Sequence, residues 1–247
     1  MSKYNLGFIS DEDIFRHVRD TVLSYRFAIN LTEFNSNLID PIKLTFDSKV
    51  YKKRFENVLE GEIIRQLDKS NTNHIGYFHQ NIFNYIGNGW VVPPSGYDVV
   101  NQGKNIFVEM KNKHNTMNSS SSQRTYIRMQ ATLINNPNAT CMLVEVIATH
   151  SQNIPWAVSV DGRRCASTNI RRVSIDNFYK IATGTNNAFM KLCMALPAVI
   201  GDVVNTVRLP EQSNTVLQEL QTIDNNLLKS IYLLSFRNYE GFHDFDI

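Results

Sequence analysis

Residues 90–115 read W-V-V-P-P-S-G-Y-D-V-V-N-Q-G-K-N-I-F-V-E-M-K-N-K-H-N, and this stretch determines the fold that we expect. Two short apolar segments, 97–101 and 105–111, flank the turn sequence Gln102-Gly103-Lys104 and predict a β-hairpin. Because side chains alternate faces along a strand, Glu109 and Lys111 project on the same face. A hairpin folded at this turn brings Asp98 beside Glu109. Two carboxylates and an ammonium group then converge on an otherwise apolar ribbon.

Burying such charges is costly unless they bind a cation or one another. One explanation is a Mg²⁺ site, because Mg²⁺ prefers oxygen ligands and is usually held by one or two carboxylates plus phosphate oxygens. Lys111 would then polarise an attacking water or stabilise developing negative charge. The alternative is a cross-strand salt bridge on a solvated face, worth about 0.2–1 kcal/mol. The spacing alone is compatible with both.

The residues that follow favour contact with nucleic acid. Residues 111–130 contain lysine, histidine and arginine among many small polar residues, and they contain no acidic residue. Such a segment offers phosphates many hydrogen-bond donors and no repulsion. Its serine-rich part could also be a flexible linker. We expect DNA contacts from Asn112, Lys113, His114, Asn115, Ser121, Gln123 and Arg124.

The chain contains four distinctive segments: E-G-E-I-I-R-Q-L-D-K-S-N (60–71), G-Y-F-H-Q-N-I-F (76–83), V-E-M-K-N-K-H-N-T-M-N-S-S-S-S-Q (108–123) and I-R-R-V-S-I-D-N-F-Y (170–179). These segments resemble type II restriction endonucleases that recognise GGNCC. Asp98 and Glu109-x-Lys111 also match the D…(D/E)-x-K signature of the wider nuclease superfamily. This match implies that Asp98, Glu109 and Lys111 are catalytic residues. In this chain Tyr97 stands where the superfamily usually has a proline directly before the aspartate.

The resemblance implies a homodimeric, Mg²⁺-dependent enzyme that makes a staggered cut in double-stranded DNA and leaves 5′-phosphate ends. It also implies a cognate DNA methyltransferase that shares the recognition site. The expected fold is α/β (α+β), with a restriction-endonuclease-like αβββαβ core in which helices flank a mixed central sheet. We expect one domain, with this core over residues 50–150 and a helical C-terminal part over 176–247.

Composition is that of an ordinary globular protein. The 247 residues are 43% hydrophobic and 19% charged, with a net charge of +2, so any DNA affinity must come from a local patch. The three cysteines form no CxxC pair and indicate reduced core residues. With no signal-peptide pattern and no apolar run of about 20 residues, we expect a prokaryotic cytoplasmic protein without membrane contact.

Residue patterns predict helices over 10–30, 50–67, 75–86 and 123–134, and a buried parallel strand over 140–148. In the resembling superfamily, a helix before the hairpin often supplies a further carboxylate to the metal. Glu62 is the candidate for this role in the present chain. The alternative is that Glu62 only pairs with Gln66 or with an arginine on the surface of its helix. Glu145, within the predicted strand, is expected to be satisfied by a basic neighbour rather than to be catalytic.

Residues 151–175 are expected to form an insert that recognises DNA. Asp161-Gly162 is a strong two-residue hairpin signal between apolar segments. Arginine is the commonest residue to contact guanine in the major groove, but charged residues also protect edge strands from aggregation. Both roles stay open for Arg163, Arg164, Arg171 and Arg172.

The C-terminal part predicts two apolar helical segments. Residues 187–204 suit a helix interrupted at Pro197, in the core or at a dimer surface. Residues 211–236 carry an apolar stripe that suits helix packing, either within the protein or across a two-fold axis in a dimer: Val216, Leu220, Ile223, Leu227, Ile231 and Leu234.

The sequence is therefore compatible with three functions: a site-specific DNA endonuclease, a repair or junction nuclease directed by DNA structure, and a non-catalytic DNA-binding module. The third would use Asp98, Glu109 and Lys111 only as a salt-bridge cluster.

Overall fold

A computed structural model describes residues 3–114 and 116–247, apart from the side chain of His243. The chain forms two compact units. The sheet unit contains Met1–Leu23 and Ile75–Arg208, and the helical unit contains Ser24–His74 and Leu209–Ile247.

The helices and strands follow one another in a mixed order along the chain. The helices are α1 (Asp11–Ser24), α2 (Leu31–Asn35), α3 (Pro41–Val50), α4 (Phe55–Asn81), α5 (Phe83–Ile86), α6 (Ser119–Asn135), α7 (Ile175–Thr183), α8 (Ala188–Thr206), α9 (Val216–Ile223) and α10 (Leu227–Phe236), with a 3₁₀ turn at Phe242–Asp244. The strands are β1 (Ala28–Ile29), β2 (Trp90–Val91), β3 (Val99–Asn101), β4 (Ile106–Lys113), β5 (Thr140–Ile147), β6 (Asn153–Val160), β7 (Arg163–Ser174) and β8 (Ser213–Asn214).

A six-stranded mixed sheet forms the centre of the sheet unit, in the order β2-β3-β4-β5-β7-β6. Strands β2, β3 and β4 are antiparallel, β4, β5 and β7 are parallel, and β6 returns antiparallel to β7. The parallel step from β4 to β5 is made through α6, as a parallel connection requires a crossover. The order α4-β2-β3-β4-α6-β5 confirms the predicted αβββαβ core with helices on a mixed sheet.

The two faces of this sheet pack against different helices. On one face, Val108 and Val144 share a large core with α7 and α8 residues such as Phe178 and Leu192. On the other face, Leu143 packs with Tyr126 of α6 in a smaller core. Because residues alternate along β4 and β5, the smaller core lies on the face that carries Glu109 and Lys111.

The predicted hairpin at Asp161-Gly162 is confirmed. Both turn residues have positive φ, +48° and +77°, as a two-residue hairpin turn of this kind requires. Strand β7 pairs with β5 only from Ile170 to Ser174, whereas residues 163–166 pair with β6 alone. Residues 157–166 therefore form a two-stranded tip, and the rest of the expected insert is an integral part of the main sheet.

The helical unit has a core of its own, which joins residues far apart in sequence. Phe34, Leu59 and Ile63 from its first segment pack with Leu220 and Ile231 from its second. The C-terminal stripe forms two helices separated at Asp224, and its buried members, Val216, Leu220, Leu227 and Ile231, lie in this core. The stripe thus packs within the protein for the most part, which leaves little of it for a contact across a two-fold axis.

Three predicted helices have different bounds in the structure. Helix α1 ends at Ser24 instead of residue 30, because residues 28–29 pair with β8. The helices expected over 50–67 and 75–86 are largely one, α4. The polar segment between them interrupts the apolar pattern but contains no proline to break the helix.

Helix α8 continues through Pro197 without the expected interruption. By length and composition it is the one described helix that could cross a membrane. Leu192, Val199 and Val203 on this helix are buried in the core of the sheet unit, whereas Met194 and Ile200 on the same helix are exposed.

Candidate active site

The β3–β4 hairpin brings Asp98 next to Glu109, as the sequence predicts. Asp98 directly precedes β3, and its backbone N–H donates to the carbonyl of Val108 at 2.9 Å. Its Oδ2 atom accepts the backbone N–H of Met110 at 2.7 Å. This bond to the strand that carries Glu109 fixes the Asp98 carboxylate against β4, at the edge of the smaller core.

Glu109 lies between two cations. Lys111 Nζ donates to Glu109 Oε1 at 2.7 Å, and Arg128 Nη2 donates to Oε2. The Glu109 side chain is only 12% exposed, so these ion pairs are more strongly coupled than surface pairs. Arg128 reaches this position from α6, a contact that the sequence analysis did not identify.

Burial raises the pKa of Asp98, and the negative charge of Glu109 raises it further. The hydrogen bond from Met110 and the charges of Lys111 and Arg128 act in the opposite direction but do not cancel the increase. The ionised form of Asp98 is therefore less stable here than in water.

The donor set suits a hard cation held partly by the protein. Within residues 3–114 and 116–247, no group of three or more His, Cys, Asp or Glu side chains could enclose a metal ion. Asp98 and Glu109 supply two carboxylates, which is the usual protein contribution to a Mg²⁺ site that is completed by water and phosphate oxygens. The chemistry of the two residues therefore fits such a cation.

A second ion cluster lies beside Lys111 on the same face of the sheet. Lys111 and Glu145 are register partners on β4 and β5. Glu145 is 2% exposed; it accepts from Arg172 Nη2 and lies 3.1 Å from His114 Nδ1. Burial opposes ionisation of Glu145, but the hydrogen bonds from Arg172 and His114 outweigh it and lower its pKa. The expectation that Glu145 is satisfied by basic neighbours is confirmed.

A cleft of about 80 Å³ is lined by Lys111 of the first cluster and by Glu145 and Arg172 of the second. Its lining includes Lys111 and Lys113 from β4, Arg172 from β7 and Ser122 from the first turn of α6. Three cationic side chains and a hydroxyl therefore line a small cleft, together with the Glu145 carboxylate that is paired with Arg172.

The predicted DNA-contacting residues fall into distinct environments. Arg163 and Arg164 are exposed at the hairpin tip, and Lys113 and Arg124 are exposed at the end of β4 and on α6. Asn112 and Gln123 are partly exposed. Ser121 belongs to the N-terminal cap of α6, where its N–H donates to Asn118 Oδ1 at 2.9 Å. Asn115 lies outside the described residues.

Two of the four predicted arginines have partners within the protein. Arg172 is committed to Glu145, and Arg171 donates to the side chain and carbonyl of Asn153 and to the carbonyl of Thr168. The structure thus separates exposed arginines at the tip from arginines that hold β7 in place.

Glu62 lies in the helical unit, where Arg65 Nε donates to its carboxylate at 2.7 Å and Gln66 Nε2 at 3.3 Å. Burial raises the pKa of Glu62, but these hydrogen bonds outweigh it and lower the pKa. These are the helix pairings considered as the alternative to metal binding, and a metal role for Glu62 stays a prediction.

Charge differs between the two units. The sheet unit carries 15 lysines and arginines against 10 aspartates and glutamates, a net charge of +5. The helical unit carries 10 against 13, a net charge of −3. The near-neutral chain therefore has a basic half, and that half contains the hairpin and the cleft.

Comparison with known proteins identifies the family. The sequence profile of the Eco47II restriction endonuclease family matches residues 6–205. The chain is 31% identical to the type II restriction enzyme Sau96I of Staphylococcus aureus, over 98% of this chain and 100% of that protein. It is also 29% identical to the type II restriction enzyme Eco47II of Escherichia coli, over 85% of this chain and 92% of that protein. The protein thus belongs to the Eco47II restriction endonuclease family.

Proposed function

We propose that this restriction endonuclease hydrolyses phosphodiester bonds at a specific site in double-stranded DNA, with Asp98, Glu109 and Lys111 as its catalytic residues. The observation that carries the proposal is the convergence of these three side chains on the β3–β4 hairpin, next to a basic cleft. A plain surface salt bridge would need neither the second carboxylate nor the cleft.

Asp98 and Glu109 would hold Mg²⁺, which supplies Lewis-acid polarisation of the scissile phosphate and of a bound water. Asp98 is fixed for this role by the hydrogen bond that its Oδ2 atom accepts from the Met110 N–H. Glu109 is fixed by β4, whose buried Val108 and Met110 anchor the strand on the opposite face.

Lys111 lies 2.7 Å from Glu109 and lines the cleft, so its ammonium group can reach both the carboxylate and a phosphate in that space. In this position it stabilises negative charge that develops on the phosphate, and it orients the attacking water. The side chain is 30% exposed, as a group that must meet the substrate requires.

DNA binding divides between two surfaces of the sheet unit. Lys113, Asn112, Gln123 and Arg124 are suited to contact phosphates beside the catalytic strand. Arg163 and Arg164, at the exposed tip, are suited to contact guanines in the major groove. Arg171 and Arg172 would support the tip strand rather than contact bases, because their guanidinium groups are engaged.

The proposed recognition sequence rests on the resemblance to enzymes that recognise GGNCC. The same resemblance implies a staggered cut and 5′-phosphate ends. Such a site has two-fold symmetry, and a homodimer would match it with one catalytic hairpin for each strand. We place the enzyme in the prokaryotic cytoplasm, with a cognate methyltransferase that protects the same site. We also propose that the whole chain acts as one endonuclease.

The decisive experiment is incubation of the protein with a plasmid of known sequence, with Mg²⁺ or with EDTA, followed by mapping of the DNA ends. Discrete fragments that depend on Mg²⁺ and end within GGNCC are expected. Cleavage of branched or mismatched DNA alone would identify a structure-directed nuclease, and binding without cleavage would identify a non-catalytic module.

A further inference from the structure

Both oxygens of the Glu109 carboxylate are held by cationic side chains, Oε1 by Lys111 and Oε2 by Arg128. Asp98 and Glu109 carry two negative charges when ionised, and Lys111 and Arg128 carry two positive charges. The four groups together are therefore neutral. A divalent cation that approached the free protein would meet no net attraction and would have to displace a cation from Glu109.

Arg128 is the more displaceable of the two cations. Its side chain is 40% exposed, against 30% for Lys111. Its guanidinium stacks on the Tyr97 ring at 4.6 Å and donates from Nη1 to the Gly96 carbonyl at 3.2 Å, so it has anchors besides Glu109. Its Nε atom is buried without a hydrogen-bond partner in the described structure, so the present arrangement leaves one donor unsatisfied.

We propose that Arg128 acts as an internal counterion that holds Glu109 until DNA binds, and that a DNA phosphate then draws Arg128 away and frees a carboxylate oxygen for the metal. The inference rests on the proposed function of this site. Guanidinium binds phosphate well, through two parallel donors, and can remain stacked on Tyr97 while its edge changes partner.

This exchange couples the two ligands. DNA adds negative charge and removes Arg128 from Glu109, and both changes raise the affinity for a divalent cation. By thermodynamic linkage, the cation must raise the affinity for DNA by the same factor. Arg128 is thus a positioning residue that sets the order of assembly, with DNA before metal.

The test measures metal binding directly, with Ca²⁺ and isothermal titration calorimetry, with and without a short duplex that contains GGACC. Wild-type protein should bind Ca²⁺ weakly when free and much more tightly with the duplex. Arg128→Gln should bind Ca²⁺ on the order of tenfold more tightly in the free protein, because one nearby positive charge is removed. In this variant, the increase in Ca²⁺ affinity that the duplex causes should be smaller than in the wild type by a similar factor.

Arg124→Gln is the matched control in the free protein, since it removes an exposed arginine one turn earlier on the same helix. It should change Ca²⁺ affinity far less. Arg128→Lys keeps the charge and should stay near the wild type in the free protein. If Arg128→Gln does not fold, Arg128→Met removes the charge in its place and should likewise bind Ca²⁺ more tightly.

Equal or weaker Ca²⁺ binding by folded, uncharged Arg128 variants would overturn the inference and make Arg128 a purely structural residue. The proposed function is judged separately, by Mg²⁺-dependent cleavage by the wild type. An enzyme that cleaves while its Arg128 variants keep the wild-type metal affinity would contradict only the counterion role. A wild type that neither binds Ca²⁺ with DNA nor cleaves would contradict both.

Discussion

Asp98 and Glu109 differ in how their charges are balanced, and this difference predicts different effects of neutralising them. Asp98 has a raised pKa and accepts one hydrogen bond, from the Met110 N–H, which an amide oxygen can also accept. Glu109 balances two cations, which would repel each other without it.

Asp98→Asn and Glu109→Gln should each reduce plasmid cleavage with Mg²⁺ by on the order of a thousandfold or more, because each removes one of the two carboxylates that we propose as metal ligands. Asp98→Asn should keep or slightly raise the melting temperature, whereas Glu109→Gln should lower it. Cleavage assays beside thermal unfolding check both statements. Full activity in either folded variant would contradict the assignment of that carboxylate.

Lys111 is expected to act in the chemical step more than in binding. Lys111→Ala should slow single-turnover cleavage by on the order of a hundredfold, while DNA affinity in a gel-shift titration falls only a few-fold. Lys113→Ala, two residues along the same strand, is the matched control and should affect binding more than the chemical step. Equal losses of rate and affinity in Lys111→Ala would reduce Lys111 to a phosphate contact.

At the scale of elements, strand β7 carries arginines with two different expected roles. Alanine at Arg163 or Arg164 should cost about 1–3 kcal/mol at the cognate site in at least one variant, with little loss on other sequences. Titration against cognate and scrambled duplexes at two salt concentrations measures this ratio. Lys113→Ala should weaken both affinities together and reduce the salt slope by about 0.9.

Arg172→Ala should instead destabilise the fold by roughly 3–5 kcal/mol, because it leaves the buried Glu145 charge without its main partner. Denaturant unfolding separates this effect from a loss of base contact. If both tip variants keep the wild-type ratio of affinities, the tip does not contact the bases, and residues near the α6 N-terminus become the next candidates.

Helix α4 contributes a pH-sensitive residue to the core region of the sheet unit. Burial lowers the pKa of His79 from 6.5 to about 4, and its Nδ1 atom is buried without a partner among the described residues. The folded state therefore binds a proton less readily than the unfolded state. The stability that follows is present above pH 6.5 and is lost as the pH falls from 6.5 towards 4.

His79→Leu should remove part of that dependence, which amounts to roughly 3 kcal/mol at most for a pKa change of this size. Urea unfolding of both proteins between pH 7.5 and 4.5 provides the measurement. As the pH falls over this range, the free energy of unfolding should decrease less for the variant than for the wild type. A constant gap would show that His79 is not responsible.

The elements that sequence predicts well are those set by local patterns. The hairpin around residues 102–104, the Asp161-Gly162 turn and the apolar strand β5 follow from turn chemistry and alternation within a few residues. The position of Arg128 does not, because its contact with Glu109 depends on how α6 packs over β4. Apart from the place of Arg128 on a helix that follows β4, the sequence offers no signal for that contact.

At the scale of the whole molecule, the two-unit organisation is beyond local patterns. Residues 24–74 and 209–247 build one core although more than a hundred residues separate them. The sequence pattern of the apolar stripe on α9 and α10 would be the same whether a second copy of the protein or the same chain covered it. Only the tertiary contacts of Leu220 and Ile231 with the first segment decide between these partners.

The two-stranded tip of residues 157–166 has a consequence for how new specificities arise. Its strands pair only with each other, and an irregularity at Pro155/Ala157 separates them from the part of the hairpin that continues the sheet. Exposed tip residues can therefore change without altering the register that aligns Lys111 with Glu145, provided that Val158 and Cys165 of the tip keep their packing against the smaller core. A chimera that takes its tip from a family member with another target should acquire that target's base preference while it retains wild-type cleavage chemistry. Fragment mapping of the chimera's products would reveal the change, and the same boundary offers protein engineers a replaceable cassette.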